Sequence, residues 1–328
     1  MDAKDYVSVV IVNYNGERFA DDCIRSVLRS TYPNLEVIVV DNDSIDQSRK
    51  ELEKFRGDPR VKLIFLKSNL HYAGGNNVGI RSSKGEYLLF LNIDTILEPY
   101  CIEELVKKFK YDVRIAAVQC LLLRMKEKTI DSIGGTIDFC CRLLPASLLW
   151  AHNTEARKER RLFWGSGAAL AVRRRVLDEI GWFDTEMPTD EVDLCWRINL
   201  AGGKILLSTN SVVQHFGAGS FGKARTKERM YMGELARLLC VLKNYEIGNL
   251  VKLAPYMIAY LLMTIGWDMF FYRRMDMLLF RLKAYVHVIK SFRDISLKRS
   301  KVQLVRKLSD AKVMELAVRP NPVYYLVR

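Results

Sequence analysis

The residues most able to do chemistry sit at the ends of apolar runs. Leu88-Leu89-Phe90-Leu91 is unbroken and ends in Asn92-Ile93-Asp94-Thr95. Such a run reads as a strand buried on both faces, and a carboxylate at its carboxyl end stands where open α/β sheets hold their ligands. Paired with a distant histidine, Asp94 can grip a hard or borderline divalent cation. The matching imidazole is His215, in His215-Phe216-Gly217-Ala218-Gly219-Ser220. That stretch reads as a glycine-rich loop, able to fold over a ligand, after a strand from Lys204 to Leu207. A lone histidine is more often an ordinary core or surface residue, so its reading as a ligand depends on Asp94.

A second concentration of charge is Pro188-Thr189-Asp190-Glu191-Val192-Asp193, leading into a helix that stops at Gly202-Gly203. Three carboxylates in four residues repel one another unless something uses them. One can serve as a general base, while Asp190 also suits a helix cap and Asp193 the first turn, where the macrodipole favours acids. Asp41, followed by Asn42, Asp43 and Ser44, ends another apolar run. It can accept from a base N–H or from ribose, or cap the next helix. Asn69 and Gly74-Gly75-Asn76-Asn77 put amides and open backbone at a helix start, a place suited to phosphate or ribose.

The elements that must position these groups follow from hydrophobic periodicity. Val7 to Val12 is a first buried strand, closed by Asn13-Tyr14-Asn15-Gly16. Phe19, Cys23, Ile24, Val27 and Leu28 recur at helical spacing between Glu17 and Arg29, and Tyr32-Pro33-Asn34 ends that helix. Leu35 to Val40 and Val61 to Leu66 are further strands with a helix between them. Pro99 reads as the first residue of the helix carrying Ile102, Leu105, Val106 and Phe109, and Ala116 to Leu123 as another strand. Strands alternating with helices imply a doubly wound, mostly parallel sheet.

At 328 residues with an apolar fraction of 49%, the chain can bury a full core. Its seven cysteines lack CxxC spacing and its four histidines lie away from them, so neither a disulfide framework nor a zinc site is expected. The run Val7 to Val12 is too short for the core of a secretory leader. Charge is unevenly placed. Residues 223–328 hold 21 Lys/Arg and 8 Asp/Glu, a difference that equals the whole net charge of +13. A neutral half, 1–222, thus precedes a basic, helical and apolar half, 223–328. An excess of this kind suits nucleic acid or an anionic membrane. The basic residues are interleaved with long apolar runs and form no nucleic-acid recognition module, so a membrane surface is expected and nucleic acid is not.

Leu253 to Phe271 has about the length of a membrane span but contains Pro255 and Asp268, the latter costly at depth. Leu278, Leu282, Tyr285, Val286, Ile289 and Phe292 make one helical stripe with basic residues beside it, the pattern of an interfacial helix. Peripheral attachment is expected, with a single span over 253–271 as the alternative.

Taken together, these motifs resemble the inverting GT-A glycosyltransferases of family 2, and in particular their rhamnosyltransferase-like branch. The likeness covers about the first two-thirds of the chain. It rests on Val7 to Asn15, Asp41-Asn42-Asp43-Ser44, Asn69 with Gly75-Asn76-Asn77-Val78-Gly79, Leu91 to Thr95, and Asp190 to Arg197. Trp164-Gly165-Ser166-Gly167-Ala168, Arg173-Arg174, Gly181-Trp182-Phe183-Asp184 and His215 to Ser220 complete it. The resemblance implies a nucleotide-sugar donor (dTDP-, UDP- or GDP-linked), a Mg²⁺ or Mn²⁺ ion and direct displacement at the anomeric carbon. It implies that Asn13, Asp41, Asn69, Gly75, Asn76 and Asn92 hold the nucleotide, that Asp94 and His215 hold the metal, and that Gly165, Ser166 and Gly167 line the sugar and acceptor side. The family's Glu-Asp pair is reversed here: Glu191 aligns with the catalytic Asp, and Asp190 is the alternative base. Asn92 stands where the first Asp of Asp-x-Asp is usual, and the segment between Asp184 and Asp190 is short and lacks aromatic residues. The basic half, which would hold the site near anionic headgroups and phosphates, makes a lipid-linked saccharide or polyprenyl phosphate the expected acceptor, at the cytosolic side of the cell membrane, in cell-surface glycan synthesis. An inactive scaffold of the same fold is the alternative reading.

Overall fold

The computed structural model describes residues 5–138, 140–145, 158–188, 190–217, 227–270 and 275–317. The loop residues Ala218, Gly219 and Ser220, and Phe271, lie outside them.

The parallel strands β1 (Val7–Asn13), β2 (Leu35–Asp41), β3 (Val61–Phe65) and β4 (Tyr87–Asn92) form one half of the main sheet. Helices α1 (Glu17–Leu28), α2 (Ser48–Glu53) and α3 (His71–Ser82) connect them. Side chains alternate between two buried faces. Val9, Ile11, Leu89 and Leu91 pack with Cys23, Ile24 and Val27 of α1, whereas Val10, Leu88 and Phe90 pack with Ala73 and Ile80 of α3. With both faces covered, the polar residues of β1, β2 and β4 lie at the strand ends: Ser8 bonds Glu36 at 2.6 Å near the starts, and Asn13, Asp41 and Asn92 stand at the finishes.

After β4 come β5 (Thr95–Leu97), α4 (Cys101–Tyr111), β6 (Ile115–Arg124) and the short strands β7 (Ile130–Ser132), β8 (Gly135–Ile137), β9 (Leu143–Pro145) and β10 (Arg161–Leu162). Pro99 precedes α4 by two residues instead of opening it, and its carbonyl accepts from Thr31 N–H at 3.0 Å. Then follow β11 (Ala169–Arg173), α5 (Arg174–Ile180), α6 (Asp190–Leu200) and β12 (Lys204–His215). Sheet order is β10-β12-β6-β11-β4-β1-β2-β3. The sheet is largely parallel, but β11 runs antiparallel between β4 and β6. Its Ala169 therefore begins at the edge where β4 and β6 finish.

Further expectations change. His215 closes a twelve-residue strand that continues beyond Leu207, instead of sitting in a loop. The polar break Ser208 to Ser211 is a register shift against β6, in which the two buried serine hydroxyls bond at 2.8 Å. The helix near Gly74 starts earlier, at His71, because Asn69 Oδ1 accepts from His71 N–H at 2.7 Å.

Helices α7 (Lys227–Asn244), α8 (Ile247–Phe270), α9 (Met275–Lys290), α10 (Phe292–Val305) and α11 (Asp310–Val313) make up the remainder, ending in a 3₁₀ turn. The core does not stop at residue 222. Leu235, Leu239, Tyr245, Ala284, Val302 and Val313 belong to the same buried cluster as Trp196 and Phe90, and Tyr245 meets the Trp196 ring edge-on at 5.1 Å. Asp268 is not left bare, because Arg281 of α9 pairs with it at 2.8 Å. Tyr285, expected on the outer stripe of α9, turns inward and donates to Glu234 at 3.1 Å.

Candidate active site

Strand register gathers the polar ends. Asn13 of β1 lies opposite Asp41 of β2, and Val12 opposite Asn92 of β4. Parallel strands end on one edge of a sheet, so one edge carries all three residues. Asn13 Nδ2 donates to Asp41 Oδ2 at 2.9 Å and to Ser44 Oγ at 3.1 Å, while Asn13 Oδ1 is buried without a partner. The other oxygen of Asp41 accepts from Arg49 Nε at 2.9 Å and from Ser44 N–H at 3.2 Å. Gly16 is required here, since a Cβ on it would stand 2.3 Å from Asn13 Oδ1.

On the same edge the turn after β4 carries Asp94, and β12 returns His215 beside β5, pairing it with Thr95. Phe216 N–H donates to the Asp94 carbonyl at 3.0 Å, which locks the two chain segments together. His215 Nε2 stands 3.3 Å from Asp94 Oδ1, and Nδ1 is 2.7 Å from Asp131 Oδ2. Burial by itself would lower the pKa of His215. The two flanking carboxylates outweigh it and raise the value to about 9. Asp131, held below the ordinary carboxylate value by its bond to His215, fixes the ring orientation, as outer carboxylates do for metal-bound histidines.

The residues fit a divalent cation. Nε2 is buried and lacks an aligned hydrogen-bond partner, it faces a carboxylate oxygen, and Nδ1 is already committed. No group of three His, Cys, Asp or Glu converges on one point among the described residues; Asp94 and His215 offer one oxygen and one nitrogen.

The third part lies where β11 begins. Asn92 N–H donates to Ala168 O at 3.0 Å, tying the Gly165–Gly167 turn to the end of β4. Gly165 N–H points at Cys195 Sγ of α6, 3.4 Å away, and Gln119 Oε1 accepts from Ser166 N–H. Tyr72 Oη donates to Gly167 O at 2.8 Å. A Cβ on Gly167 would approach that hydroxyl to 2.6 Å, so the close contact needs glycine. Burial, and then the charges of Asp190 and Glu191, push the Tyr72 phenol up; Cys195, whose sulfur meets Gly165 N–H, lies about one helical turn after Glu191, so the acidic start of α6 is beside the same turn. Asp190 is buried, its Oδ1 accepting from Glu191 N–H at 3.1 Å, while Glu191 is half-buried. Desolvation and the neighbouring Glu191 charge drive the Asp190 carboxyl well above its usual range.

Two of the nucleotide-side residues have packing roles. Gly75 allows α3 to lie on β1, because a Cβ there would meet Val12 at 2.7 Å. Asn76 is buried and donates to Tyr72 O at 3.0 Å. Asn69 Oδ1 accepts from His71 N–H where α3 begins, and Asn92 is half-buried at the edge. Residues that periodicity could not reveal are Tyr72, Asp131, Gln119 and Lys243. Lys243 of α7 reaches Asp193 at 3.1 Å and Asp184 at 2.6 Å. Of these, only Tyr72 carries a sequence signal, its position beside the glycine-asparagine motif.

Comparison with known proteins places the chain in a family. The model of the glycosyl transferase family 2 matches residues 8–181. A poly-beta-1,6-N-acetyl-D-glucosamine synthase of Staphylococcus epidermidis is 26% identical over 199 residues, 59% of this chain and 46% of that protein. The chain thus spans less than half the length of that relative. Among solved structures, S. aureus TarS 1–349 with UDP-GlcNAc superposes with a TM-score of 0.59 at 14% identity, covering 91% of this chain and 90% of that one. GalNAc-T7 with UDP, GalNAc and Mn²⁺ gives 0.60 at 18%, covering 73% and 48%. At such identities these two likenesses speak for a shared fold, consistent with GT-A. With the family model covering more than half of its 328 residues, the chain belongs to glycosyl transferase family 2.

Proposed function

We propose that the enzyme is a metal-dependent inverting transferase that moves a sugar from a nucleoside-diphosphate donor to a lipid-linked saccharide or polyprenyl phosphate. It works at the cytosolic side of a membrane in the synthesis of a cell-surface glycan. The observation that carries the reading is the convergence on one sheet edge of Asn13–Asp41, Asp94–His215 and the Gly165–Gly167 turn beside Glu191.

In this reading Asn13 and Asp41 hold the nucleoside, with Asn69 and Asn92 nearer ribose and diphosphate, and the free Asn13 Oδ1 accepts from the donor. Asp94 and His215 would hold Mg²⁺ or Mn²⁺, which when bound would supply Lewis-acid neutralisation of the departing diphosphate. Asp131 keeps Nε2 of His215 aimed at that position. Burial and the Glu191 charge beside it favour the protonated form of Asp190, and Glu191, half-buried in the first turn of α6, is the base in this reading. Glu191 takes the acceptor hydroxyl proton as the new bond to the anomeric carbon forms and the bond to diphosphate breaks on the opposite face. Asp190 is the alternative base. The Gly165–Gly167 turn lines the sugar. The Asn92-x-Asp94 form supports the rhamnosyltransferase-like branch, and the basic, apolar half supports a lipid-linked acceptor.

Calorimetric titration of the full chain with UDP, dTDP and GDP, with and without Mn²⁺, tests the reading. Metal-dependent binding of one diphosphate that disappears in Asp94→Ala is expected. Absence of binding to all three by folded protein overturns it.

A further inference from the structure

Helix α8 is long and apolar enough to cross a bilayer, and none of its most apolar stretch is buried against protein. Its polar attachments decide how it is used. Near the N-terminal end, Asn249 donates to Asp310 of α11 at 2.8 Å. In the middle, Arg237 of α7 contacts Met257 Sδ at 3.1 Å and lies over the Tyr260 ring at 4.5 Å. Near the C-terminal end, Asp268 pairs with Arg281 at 2.8 Å, and Arg281 reaches Glu234 of α7 at 2.8 Å. Asn249, Met257, Tyr260 and Asp268 fall on one side of a helix of 3.6 residues per turn.

The opposite side is uncovered. Ile247, Val251, Ile258, Leu262 and Met269 recur at spacings of 4, 7, 4 and 7 residues, and all are exposed, Val251 at 70% and Leu262 at 63%. Next to it, α9 presents Leu279, Leu282, Val286 and Ile289, also exposed, at spacings of 3, 4 and 3. Exposed Lys283 and Lys290 border that second stripe.

A span would carry Asp268 about 28 Å from Asn249, nearly the thickness of the hydrocarbon layer. Yet the partners of both, Asp310 and the Arg281–Glu234 pair, belong to elements packed in the core that holds Trp196. Leu235 of α7, Ala284 of α9 and Val313 of α11 are all buried there. Both ends of α8 are therefore held on one side.

We infer that α8 and α9 form a foot that lies flat in the headgroup region of an anionic bilayer, with the Ile247–Met269 and Leu279–Ile289 stripes immersed and no segment of α8 crossing. The occupant is a lipid surface on grounds of charge: this half of the chain carries the entire +13, and its lysines flank the apolar stripes instead of interrupting them. This deepens the membrane clause of the proposed function and fixes its geometry.

The test is flotation of the full chain with vesicles of phosphatidylcholine alone or with about one-third phosphatidylglycerol, followed by alkaline carbonate extraction. Flotation with the anionic vesicles, reduced by high salt and fully released by carbonate, is expected. Ile258→Glu with Leu262→Glu should cut the floating fraction at least about tenfold, and Lys283→Glu with Lys290→Glu should remove the preference for anionic lipid. Circular dichroism and nucleotide titration of each variant should match the parent. Failure of the foot then differs from failure of the enzyme reading, which loses nucleotide binding and leaves flotation untouched. Carbonate-resistant protein means a span and overturns the inference. So does unchanged flotation of the Ile258/Leu262 variant, or a dimer that this variant dissociates without vesicles, which assigns the stripe to a second copy.

Discussion

Replacing Lys243 by methionine keeps the length and volume of the side chain and removes one buried charge. Lys243 is 3% exposed and joins α7 to the helix that bears Glu191, with Asp193 at 3.1 Å and Asp184 at 2.6 Å. Each hydrogen bond to a charged group contributes about 1.5–3 kcal/mol, so the two lost contacts alone amount to about 3–6 kcal/mol. Compensation is available, because Asp193 keeps Arg197 at 2.8 Å and Asn244 at 3.2 Å, and Asp184 keeps Lys298 at 2.6 Å. The lower end, about 3 kcal/mol, is therefore expected, in line with removing one partner of a buried ion pair. Urea unfolding reports it as a lower midpoint with unchanged slope.

The pH dependence gives a second reading of the same contacts. Burial alone would raise Asp184 and Asp193, but Lys243 with Lys298 and Arg197 holds both below the ordinary carboxylate value. Below about pH 5 the unfolded chain then binds more protons than the folded one. Their stabilisation is complete above the unfolded value, near pH 4, and is lost as pH falls through the depressed folded values. Lys243→Met should flatten that acid-side slope. A loss below about 1 kcal/mol with an unaltered slope refutes the assignment, since Arg197 and Lys298 would then carry the carboxylates unaided.

Glu191→Gln should lower kcat by about 10²–10⁴-fold with nucleotide affinity retained; Asp190→Asn should have the smaller effect, and steady-state rates beside calorimetry separate the two. A larger loss in Asp190→Asn makes Asp190 the base. Asp131→Asn should weaken Mn²⁺ affinity by about 10–100-fold through the orientation of His215, measured by titrating Mn²⁺ against the protein by electron paramagnetic resonance; an unchanged affinity removes Asp131 from that role.

Local chemistry in the chain determined the strands β1, β2 and β4, since their apolar runs, buried on two faces, give way to polar side chains at the carboxyl edge of the sheet, at Asn13, Asp41 and Asn92. It also determined the order of the motifs and the concentration of charge in residues 223–328. Tertiary structure alone decided the rest. Strand β11 reads as connecting chain until β4 and β6 flank it, and the polar run Ser208 to Ser211 hides a strand that continues to His215. Asp131 and His215 are 84 residues apart, Tyr72 and Gly167 are 95, and Lys243 and Asp193 are 50. Periodicity reports only which face of its own element a residue occupies. It cannot say which distant face arrives opposite, and for that reason Gly75 became a packing contact against Val12 and Asp268 found Arg281.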